Sequence, residues 1–406
     1  MAPLGEDLQV QCCIVGGGPA GMVLGFLLAR AGVDVAVLEK HADFLRDFRG
    51  DTIHPSTLEI IHEVGLLDAF LKRPHDKTRA LDVQVGATTL AIADFSHLPT
   101  RCKFLAFMPQ WDFLNFFAEE ASRYPSFHLR METEVTDLIE ADGRILGVRA
   151  TTPQGRLEIR ADLSIGADGR GSVVRERAGL KAANVGAPMD VLWMRLSKQP
   201  TDPPQTFARL DTGRILVMLD RGEYWQCAFA IPKGAFDATR QKGLPAFRDE
   251  VAALLPFARD RMGELADWDR IKLLTVRVDR LRRWFRPGLL CIGDAAHAMS
   301  PIGGVGINLA VQDAVAAANL LAVPLLQRSV TADHLKAVQR RRALPTRLTQ
   351  RVQVFLQDRV ISRVLYRRRP LSPPWPVRLL GRWPYLRRIP ARLIGMGIRP
   401  EHVERG

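Results

Sequence analysis

One stretch of the chain, CIGDAAHAMSPIGGVGINLAVQDA at residues 291–314, concentrates residue types that can hold a ligand at a strand-to-helix junction. An apolar run ends at Gly293, Asp294 follows directly, and a helical pattern begins near Gly306. Open α/β sheets bind ligands at the carboxyl ends of their strands, so this carboxylate would lie at a binding edge and could accept a hydrogen bond from a ligand hydroxyl. The glycines leave room for a flat ring, and the helix start would stabilise negative charge on that ring.

A second unit of this kind begins the chain. Residues 8–15 (LQVQCCIV) predict a buried strand, which leads into GGGPAG, a helix, and a second strand that ends at Glu39. In such a GxGxxG turn the first glycine permits the tight turn, the second lets the backbone approach a pyrophosphate at the helix N-terminus, and the third allows close helix–strand packing. The carboxylate at the end of the second strand can accept hydrogen bonds from a ribose. The unit predicts a dinucleotide site that comprises Gly16, Gly18, Pro19, Ala20, Gly21, Glu39 and Lys40.

Three further polar groups are candidates for the same cofactor. Arg49 lies in a loop, where a cation could neutralise the pyrophosphate, and Gln110 lies at a strand-to-helix turn, where an amide could reach a ribityl hydroxyl. The segment IGADGRGSVVRERAG predicts another strand–turn–helix unit, in which Asp168 ends the strand and Ser172 caps the helix. The glycines of the first unit continue in the longer frame GxGxxGxxxGxxxxxxG, which favours FAD over NAD as the resident dinucleotide.

The composition indicates a globular chain of two or three domains. Its 406 residues are 47% apolar, and no apolar run reaches the roughly 18 to 20 residues that a membrane span requires. The first residues, MAPLGEDLQV, have no basic region followed by an apolar core, so we expect no signal peptide. The five cysteines are scattered, without a CxxC pair or a His/Cys cluster. We therefore expect reduced core thiols, a cytoplasmic location and no metal site.

The basic character of the chain is confined to its C-terminal region. Residues 331–406 contain 18 Lys and Arg against 4 Asp and Glu, whereas residues 1–330 contain 39 against 40. Residues 331–368 predict a long basic helix, which LSPPWP ends, and short amphipathic helices follow. Such a region could attach peripherally to an anionic membrane or guide a lipid-like substrate; we favour a basic helical cap on the preceding domain, at a dimer contact if the protein is not a monomer. Because the region lacks spaced aromatics for base stacking, we expect no nucleic-acid partner.

Alternating apolar residues over 189–280, with a helical insertion near 244–264, predict an antiparallel sheet with a covering helix, suited to holding a substrate. Tyr224, Trp225 and Gln226 are candidate ligand contacts there, but alternation does not say which face meets a ligand. We expect an α/β protein with a Rossmann-like FAD-binding domain (GR2-type), an inserted antiparallel-sheet substrate domain and a C-terminal helical tail. The predicted FAD-binding domain comprises residues 8–75, 102–180 and 281–330, the substrate domain comprises 76–101 and 181–280, and the basic helical region comprises 331–406.

Taken together, the GGGPAG unit with its glutamate, the GADGRGSVVR unit and the stretch at 291–314 resemble the three signatures of the class A, single-component FAD monooxygenases. This group includes para-hydroxybenzoate hydroxylase and the ubiquinone-pathway hydroxylases, and the resemblance covers roughly residues 8–330. It implies that Pro301 flanks the flavin face where oxygen reacts, and that His297 matches a motif position, which we interpret as packing. The implied flavin contacts are Arg49, Gln110, Asp168, Gly293, Asp294, Gly304, Gly306, Ile307 and Asn308.

The resemblance also implies a mechanism. NAD(P)H reduces FAD and leaves, O2 adds at flavin C4a to give the hydroperoxide, and one oxygen is transferred to an aromatic, phenolic or polyketide-like substrate. The cofactor would supply the difficult chemistry, which agrees with the lack of a catalytic triad or carboxylate pair in the sequence. The sequence leaves open the substrate, the choice of NADH or NADPH, and the outcome as hydroxylation, epoxidation or Baeyer–Villiger oxidation.

Two alternative enzymes share the expected flavin fold. A flavin halogenase would carry a WxWxIP stretch, but WQCAFAIP at 225–232 has the Ile-Pro without the Trp pair, so halogenation is disfavoured. A polyprenyl-type FAD reductase would reduce its substrate without consuming oxygen. In a different class, a flavoprotein without turnover would bind a nucleic acid or a membrane through the basic region.

Overall fold

The computed structural model describes residues 8–45, 52–86, 88–203, 206–366 and 375–404, with the backbone alone for 375–378. The strands, in chain order, are β1 (Leu8–Val15), β2 (Val35–Leu38), β3 (Thr52–Ile53), β4 (Asp76–Thr78), β5 (Ala80–Val85), β6 (Thr88–Asp94), β7 (Leu105–Phe107), β8 (Phe127–Arg130), β9 (Glu134–Ala141), β10 (Arg144–Thr152), β11 (Gly155–Gly166), β12 (Ala182–Asn184), β13 (Met189–Ser197), β14 (Phe207–Asp211), β15 (Arg214–Asp220), β16 (Tyr224–Pro232), β17 (Lys272–Leu274), β18 (Asp279–Leu281), β19 (Phe285–Arg286) and β20 (Leu289–Cys291).

The α-helices are α1 (Pro19–Arg30), α2 (Pro55–Glu63), α3 (Leu67–Phe70), α4 (Gln110–Ala121), α5 (Val173–Arg177), α6 (Phe236–Gln241), α7 (Leu244–Leu254), α8 (Gly306–Leu326), α9 (Ala332–Leu356), α10 (Ser362–Leu365), α11 (Trp375–Arg382) and α12 (Arg388–Gly395). Short 3-10 helices cover Phe95–His97, Pro256–Glu264, Trp268–Arg270, Gly293–Ala295, Ile302–Gly304 and Pro384–Arg387, and a π-helical turn covers Gln357–Ile361.

The first sheet has a parallel centre in the order β20-β11-β1-β2-β8, with β19 antiparallel at one edge. β1 and β2 are short apolar runs buried on both faces, which is typical of strands covered by helices on each side. The second half of β11 lies in this centre, and its first half continues into an antiparallel meander with β10 and β9. β9 to β11 are thus antiparallel neighbours, whereas β8 is parallel to β2.

The helices α1 and α8 cover the parallel centre. The segment Ile302–Leu326 has a mean hydropathy of 1.7 and is long enough to cross a membrane by length and composition, which the sequence analysis did not anticipate. However, 67% of the 18-residue apolar window within this segment is buried inside the protein, as in the core helix of a globular domain. The α/β architecture with a helical C-terminal region, predicted from sequence, is confirmed.

The second sheet has the order β17-β13-β16-β15-β14-β5-β6 and is antiparallel except for the β14–β5 pair. Its strands come from two chain segments, before residue 95 and after residue 188, and the assignment of both to one substrate domain remains a proposal. One face packs under α7: Trp225, Cys227 and Phe229 are buried there with Phe247 and Val251. Residues of even number in β16 point to the opposite face, which we call the ligand face, because successive side chains of a strand alternate.

The cysteines behave as the sequence analysis expected. All five thiols are free and buried, and burial raises the pKa of Cys13 to about 12, so it stays protonated at neutral pH.

The C-terminal region is continuous with the core. α9, the π-helical turn and α10 form one helix to Leu365, which confirms the predicted long basic helix up to that point; the predicted break at 371–376 falls largely outside the described residues. The inward face of this helix is polar and carries Arg342, Thr346, Gln350, Gln353 and Gln357, all buried. The short amphipathic helices predicted beyond it are present as α11 and α12.

A buried ion pair between Arg261 and Asp202 connects the second sheet to the neighbouring 3-10 helix Pro256–Glu264. Arg261 donates from both terminal nitrogens to the two oxygens of Asp202, at 2.6 and 2.7 Å, and Trp225 Nε1 donates to the same carboxylate at 2.8 Å. Burial alone would raise the pKa of Asp202, but the hydrogen bonds from Arg261 and its other donors hold it at about 2.

We expect Arg261→Met to lower the free energy of unfolding by about 3–5 kcal/mol, because it leaves a buried carboxylate without its cation. Urea unfolding followed by circular dichroism measures the change. Arg259→Met, at an exposed position of the same 3-10 helix, is the control and should change stability by less than about 0.5 kcal/mol. Equal losses in the two variants would contradict this assignment.

Candidate active site

The turns that follow β2, β1, β11 and β20 are joined in a row by backbone hydrogen bonds. Gly16 N donates to Leu38 O at 2.8 Å, Ala167 N donates to Val15 O at 2.8 Å, and Ile292 N donates to Gly166 O at 2.9 Å. The three strand–turn–helix units that the sequence analysis identified therefore meet at one carboxyl edge of the sheet. That edge is where open α/β sheets bind ligands.

Two glycines of the first turn are required by close backbone contacts, and a third faces open space. Gly16 has a φ of +107°, and a Cβ atom there would lie 2.5 Å from Ala167 O. A Cβ atom on Gly21 would lie 1.9 Å from Gly16 O, whereas a Cβ atom on Gly18 would meet no heavy atom of the described residues within 4 Å. Gly18 precedes Pro19 at the start of α1, whose first turn has no side-chain cap, so this opening can admit an anion.

Glu39 lies beside this opening, at the end of β2. Its carboxylate accepts hydrogen bonds from Gly17 N at 3.0 Å and from His41 N at 3.2 Å, and it is largely buried. Lys40 is exposed next to it, and Ala20 is buried in the first turn of α1. The backbone thus holds the carboxylate at the opening, where a ribose bound with the pyrophosphate could reach it.

The second and third turns, which follow β11 and β20, are bridged by an arginine that was not among the candidates predicted from the sequence. Arg170 Nε donates to Asp294 Oδ2 at 2.9 Å, and its NH1 group is buried without a partner among the described residues. Asp168 Oδ2 accepts from Val174 N at 3.1 Å, its buried Oδ1 likewise has no such partner, and burial raises its pKa. Ser172 caps α5 as predicted, by accepting from Arg175 N at 2.9 Å.

The loop between β20 and α8 turns back on itself at Gly303 and Gly304, whose φ values are +77° and +62°. Pro301 precedes this turn, and α8 begins at Gly306 without a side-chain cap. A Cβ atom on Gly306 would meet no heavy atom of the described residues within 4 Å, so open space adjoins the start of α8, and the first amides of the helix have no acceptor within it. This uncapped helix start could stabilise negative charge on a bound ring.

The remaining predicted cofactor contacts have different surroundings. Asn308 is buried, and its Oδ1 accepts from Ser56 Oγ at 2.7 Å and from Thr57 Oγ1 at 2.8 Å, so any cofactor contact would use its other groups. Gln110 is the first residue of α4 and is half-buried. Arg49 lies outside the described residues.

A fully buried carboxylate organises the inner side of the third turn. Asp313 accepts from Gly293 N at 3.0 Å, lies 2.5 Å from His297 Nε2, and accepts from Arg342 Nε at 2.9 Å. Burial alone would raise the pKa of Asp313, but the charges and hydrogen bonds of His297 and Arg342 outweigh it and lower the pKa. Arg342 also donates to Glu401 at 3.2 Å, which ties the end of the described chain to this network.

The ligand face of the second sheet lies against the same loop. Ile302 packs with Met189, Ile215 and Ala230 of this face at one end, together with Val364 and Leu365 of α10. At the other end, Ile394 of α12 packs in a cluster with Leu81 and Leu219. The row between these two clusters consists of Trp193, Ala228 and Val217, paired across three strands. This face is predominantly apolar and suits a hydrophobic ring system.

The structure decides which of the aromatic and polar candidates on β16 meets the ligand face. Trp225 is fully buried on the α7 side, so it is a core residue. Tyr224 and Gln226 are on the ligand face, where Arg195 lies 4.9 Å above the Tyr224 ring and Arg221 Nε donates to Gln226 Oε1 at 3.1 Å. Strand alternation made the separation of Trp225 from its neighbours predictable, but not which face each occupied.

The residues at the sheet edge fit FAD. The open space at Gly18 and the uncapped starts of α1 and α8 can take the pyrophosphate and the ring, and the unpartnered buried atoms of Asp168 and Arg170 can hydrogen-bond to a ligand. Within the described part of the chain, no group of three or more His, Cys, Asp or Glu residues could hold a metal ion.

Comparison with known proteins agrees with this geometry. A family model for the FAD binding domain matches residues 9–352. The chain is 32% identical over 362 residues to 6-methylpretetramide 4-monooxygenase from Streptomyces rimosus, over 89% of this chain and 86% of that protein. It is 26% identical over 317 residues to para-nitrophenol 4-monooxygenase from Pseudomonas sp. (strain WBC-3), over 74% of this chain and 75% of that protein.

Among solved structures, the OxyS anhydrotetracycline hydroxylase from Streptomyces rimosus superimposes with a TM-score of 0.75 at 22% identity, over 98% of this chain and 78% of that one. At this identity the likeness concerns the fold. Three other relatives are longer proteins, of which this chain spans 63%, 60% and 61%.

The glycines of the first turn give a matched pair of variants. We expect Gly18→Val to fold, because a Cβ atom there would meet no heavy atom of the described residues within 4 Å, but to weaken FAD binding by more than about tenfold, because the side chain would fill the path of the pyrophosphate. Gly21→Ala should instead fail to fold normally, since its methyl group would overlap Gly16 O. Flavin fluorescence titration and thermal unfolding separate the two effects; tight FAD binding by folded Gly18→Val would contradict the assignment.

Proposed function

This chain belongs to the family of FAD-binding-domain proteins that contains the FAD-dependent aromatic monooxygenases, and from that premise we propose that it uses NAD(P)H and O2 to insert one oxygen atom into an aromatic polyketide or phenolic substrate. The observation that carries the proposal is the joining of the three turns at one sheet edge, with the apolar ligand face packed against the third turn through Ile302. A cofactor at that edge and an aromatic compound on that face would be neighbours.

In this function FAD, when bound, supplies the electron transfer and the oxygen activation. The protein contributes binding and orientation. The start of α1 would hold the pyrophosphate, Glu39 would accept a hydrogen bond from the ribose, and the first-turn amides of α8 would stabilise negative charge on the ring. The apolar ligand face excludes water and orients the substrate, and Pro301 keeps the loop beside the ring rigid.

The substrate class is inferred from the relatives and from the ligand face. The two named relatives are monooxygenases of 6-methylpretetramide and of para-nitrophenol. An apolar face of several strands with polar groups such as Gln226 and Tyr224 at one end suits a fused-ring aromatic compound that carries a few oxygen substituents. The comparisons give no support to a polyprenyl-type reductase or to a flavoprotein without turnover.

We expect the purified protein to be yellow and to consume NADPH or NADH and O2 in equal amounts when a fused-ring phenol is supplied. The product should be heavier by one oxygen atom, because the other oxygen atom leaves as water. An oxygen electrode, absorbance at the nicotinamide band and mass spectrometry with labelled O2 measure these quantities. A reduced product without oxygen uptake would favour the reductase alternative, and Gly18→Val serves as the flavin-poor control.

We infer that the partners are a small aromatic substrate and O2. We also propose a cytoplasmic location, a monomeric or homodimeric state, and membrane contact through residues 331–406.

The membrane contact is supported by the charge and the exposed side chains of this region. Residues 359–400 contain eleven arginines and no Lys, Asp or Glu. Trp383, Tyr385 and Ile389 in that segment are 57%, 71% and 67% exposed. Basic residues beside exposed aromatic and aliphatic side chains suit an anionic bilayer surface.

Two charge-matched variants test this contact. Replacing Arg382, Arg388 and Arg392 by Gln should weaken binding to phosphatidylglycerol vesicles by roughly a hundredfold, at about 1 kcal/mol for each arginine near the surface. Replacing three exposed cations on the outer face of α9 (Lys336, Arg340 and Arg347) by Gln removes the same charge elsewhere and should leave binding nearly unchanged. Vesicle co-sedimentation measures both; equal behaviour of the variants, or no binding by the unaltered protein, would contradict the membrane contact.

A further inference from the structure

The inward face of the C-terminal helix carries three glutamines that contact the loop around Pro301. Gln350, Gln353 and Gln357 are spaced by three and four residues, so they lie on one face of the helix. Their exposed fractions are 0%, 3% and 1%, whereas glutamine is usually a surface residue. A buried amide side chain requires hydrogen-bond partners, and here the partners are on the loop.

Gln353 is bonded to the backbone on both sides of Pro301. Its Oε1 accepts from Ser300 N at 3.2 Å, and its Nε2 donates to Ser300 O at 3.0 Å and to Ile302 O at 2.9 Å. Gln357 Nε2 donates to Ser300 Oγ at 2.7 Å. The side chain of Gln353 thus provides hydrogen bonds to backbone groups of residues 300–302, which belong to neither a strand nor an α-helix.

Gln350 is hydrogen-bonded to groups near residues 300–302 but outside that segment. Its Nε2 donates to Asp279 O at 2.8 Å and to Ala298 O at 3.1 Å, and Arg280 donates to its Oε1 at 3.1 Å. This glutamine therefore joins the helix to β18 and to the part of the loop that precedes residue 300. Gln353 and Gln357 alone among the three contact Ser300 or Ile302.

The opposite side of the loop is held by a buried histidine. His54 Nε2 lies 3.1 Å from Gly304 O, and its Nδ1 lies 2.8 Å from Ile394 O of α12. The long helix is therefore hydrogen-bonded to residues 300–302 of the loop. His54, which immediately precedes α2, contacts residue 304 and connects it to α12. Two residues beyond Gly304 in the chain, a Cβ atom on Gly306 would meet no heavy atom of the described residues within 4 Å, so open space adjoins the end of the loop at the start of α8.

The same helix also contacts the ligand face. The π-helical turn begins at Gln357 and ends at Ile361, and Ile361 packs in the cluster that contains Ile302, together with Val364 and Leu365 of the α10 turn that follows. π-helical turns inside α-helices are frequent at functional sites, because they redirect the side chains that follow. The helix thus fixes the distance between the loop and the sheet on which a substrate would lie.

We propose that Gln353 is a positioning residue, assisted by Gln357, that fixes Ser300–Ile302 against the flavin ring and thereby couples reduction of O2 to oxygen transfer. The proposal rests on the function proposed above, since it requires bound FAD next to this loop. Without the glutamine, the loop and Pro301 shift relative to the ring. Electrons from NAD(P)H then pass to O2 without substrate oxygenation: NAD(P)H, O2 and one proton yield NAD(P)⁺ and H2O2.

A purely structural role predicts something different. If the glutamine only stabilises the fold, its loss lowers the unfolding temperature and leaves the flavin spectrum and the H2O2 yield of the folded holoenzyme unchanged. The decisive readouts are therefore those that report on the surroundings of the ring: the visible absorption of the bound flavin, its midpoint potential and the H2O2 formed for each NAD(P)H consumed.

Gln353→Met is the main variant, because methionine has a similar length and cannot hydrogen-bond to the loop. Gln339→Met is its matched control on the same helix: Gln339 Oε1 accepts from Trp284 N at 3.0 Å and its Nε2 donates to Arg282 O at 3.0 Å, so it too joins the helix to backbone, but at the edge of the sheet. Gln357→Met and Ser300→Ala, which remove the two ends of one side-chain contact, are the milder pair and serve if Gln353→Met folds poorly.

We expect Gln353→Met holoenzyme to show an altered flavin spectrum and midpoint potential and a roughly tenfold lower ratio of oxygenated product to H2O2, since displacement by about 1 Å can reduce rates by on the order of a hundredfold. Gln339→Met should match the unaltered protein in all three. Gln357→Met and Ser300→Ala should have similar, smaller effects that do not add when combined.

Unaltered spectra, potential and H2O2 yield in both Gln353→Met and Gln357→Met would overturn the proposal and leave only a stabilising role. The same changes in Gln339→Met would overturn it too, since they would then arise from general loosening of the helix. If the unaltered protein binds no FAD, the proposed function fails instead, which the flavin titration detects before any variant is compared.

Discussion

The carboxylate of Asp313 is the interaction on which the arrangement of the third turn depends. It is completely buried, so its charge is tolerated only because His297 and Arg342 and the Gly293 amide surround it. Asp313 belongs to α8, Gly293 to the turn after β20, and Arg342 to α9. One charge network therefore fixes the distances between the sheet edge, the helix that starts at the proposed flavin edge, and the C-terminal helix.

This network makes the C-terminal region part of the scaffold of the site. Arg342 continues to Glu401, and the glutamines on the same helix face continue along the loop toward the ligand face. The positive charge of the region is divided accordingly: Arg342 is buried and compensated, whereas residues such as Arg340 and Arg347 are exposed on the outer side. A basic helix with a polar inner face can thus hold a loop and still face solvent or an anionic surface.

The two sheets contribute different properties to the proposed reaction. The parallel sheet ends in uncapped helix starts and glycine turns, which favour an anionic cofactor. The mostly antiparallel sheet offers an apolar face, on which Trp193, Ala228 and Val217 form a continuous row. Ile302 is one point of contact between the third turn and the second sheet, and it lies in the loop to which the glutamines are hydrogen-bonded. Orientation of a substrate relative to the ring would therefore depend on that loop more than on any single acid or base.

The sequence by itself determined the features that depend on neighbouring residues: the glycine turn after β1, the Ser172 cap, and the alternation that defines two faces on β16. Backbone sterics and strand periodicity are local, so a short window contains them. Only the tertiary structure decided that Trp225 faces α7, that Arg170 pairs with Asp294 across 124 residues, and that Asn308 Oδ1 is occupied by Ser56 and Thr57. It also turned the glutamines of a basic helix inward, because partners distant in the chain determine which polar face can be buried.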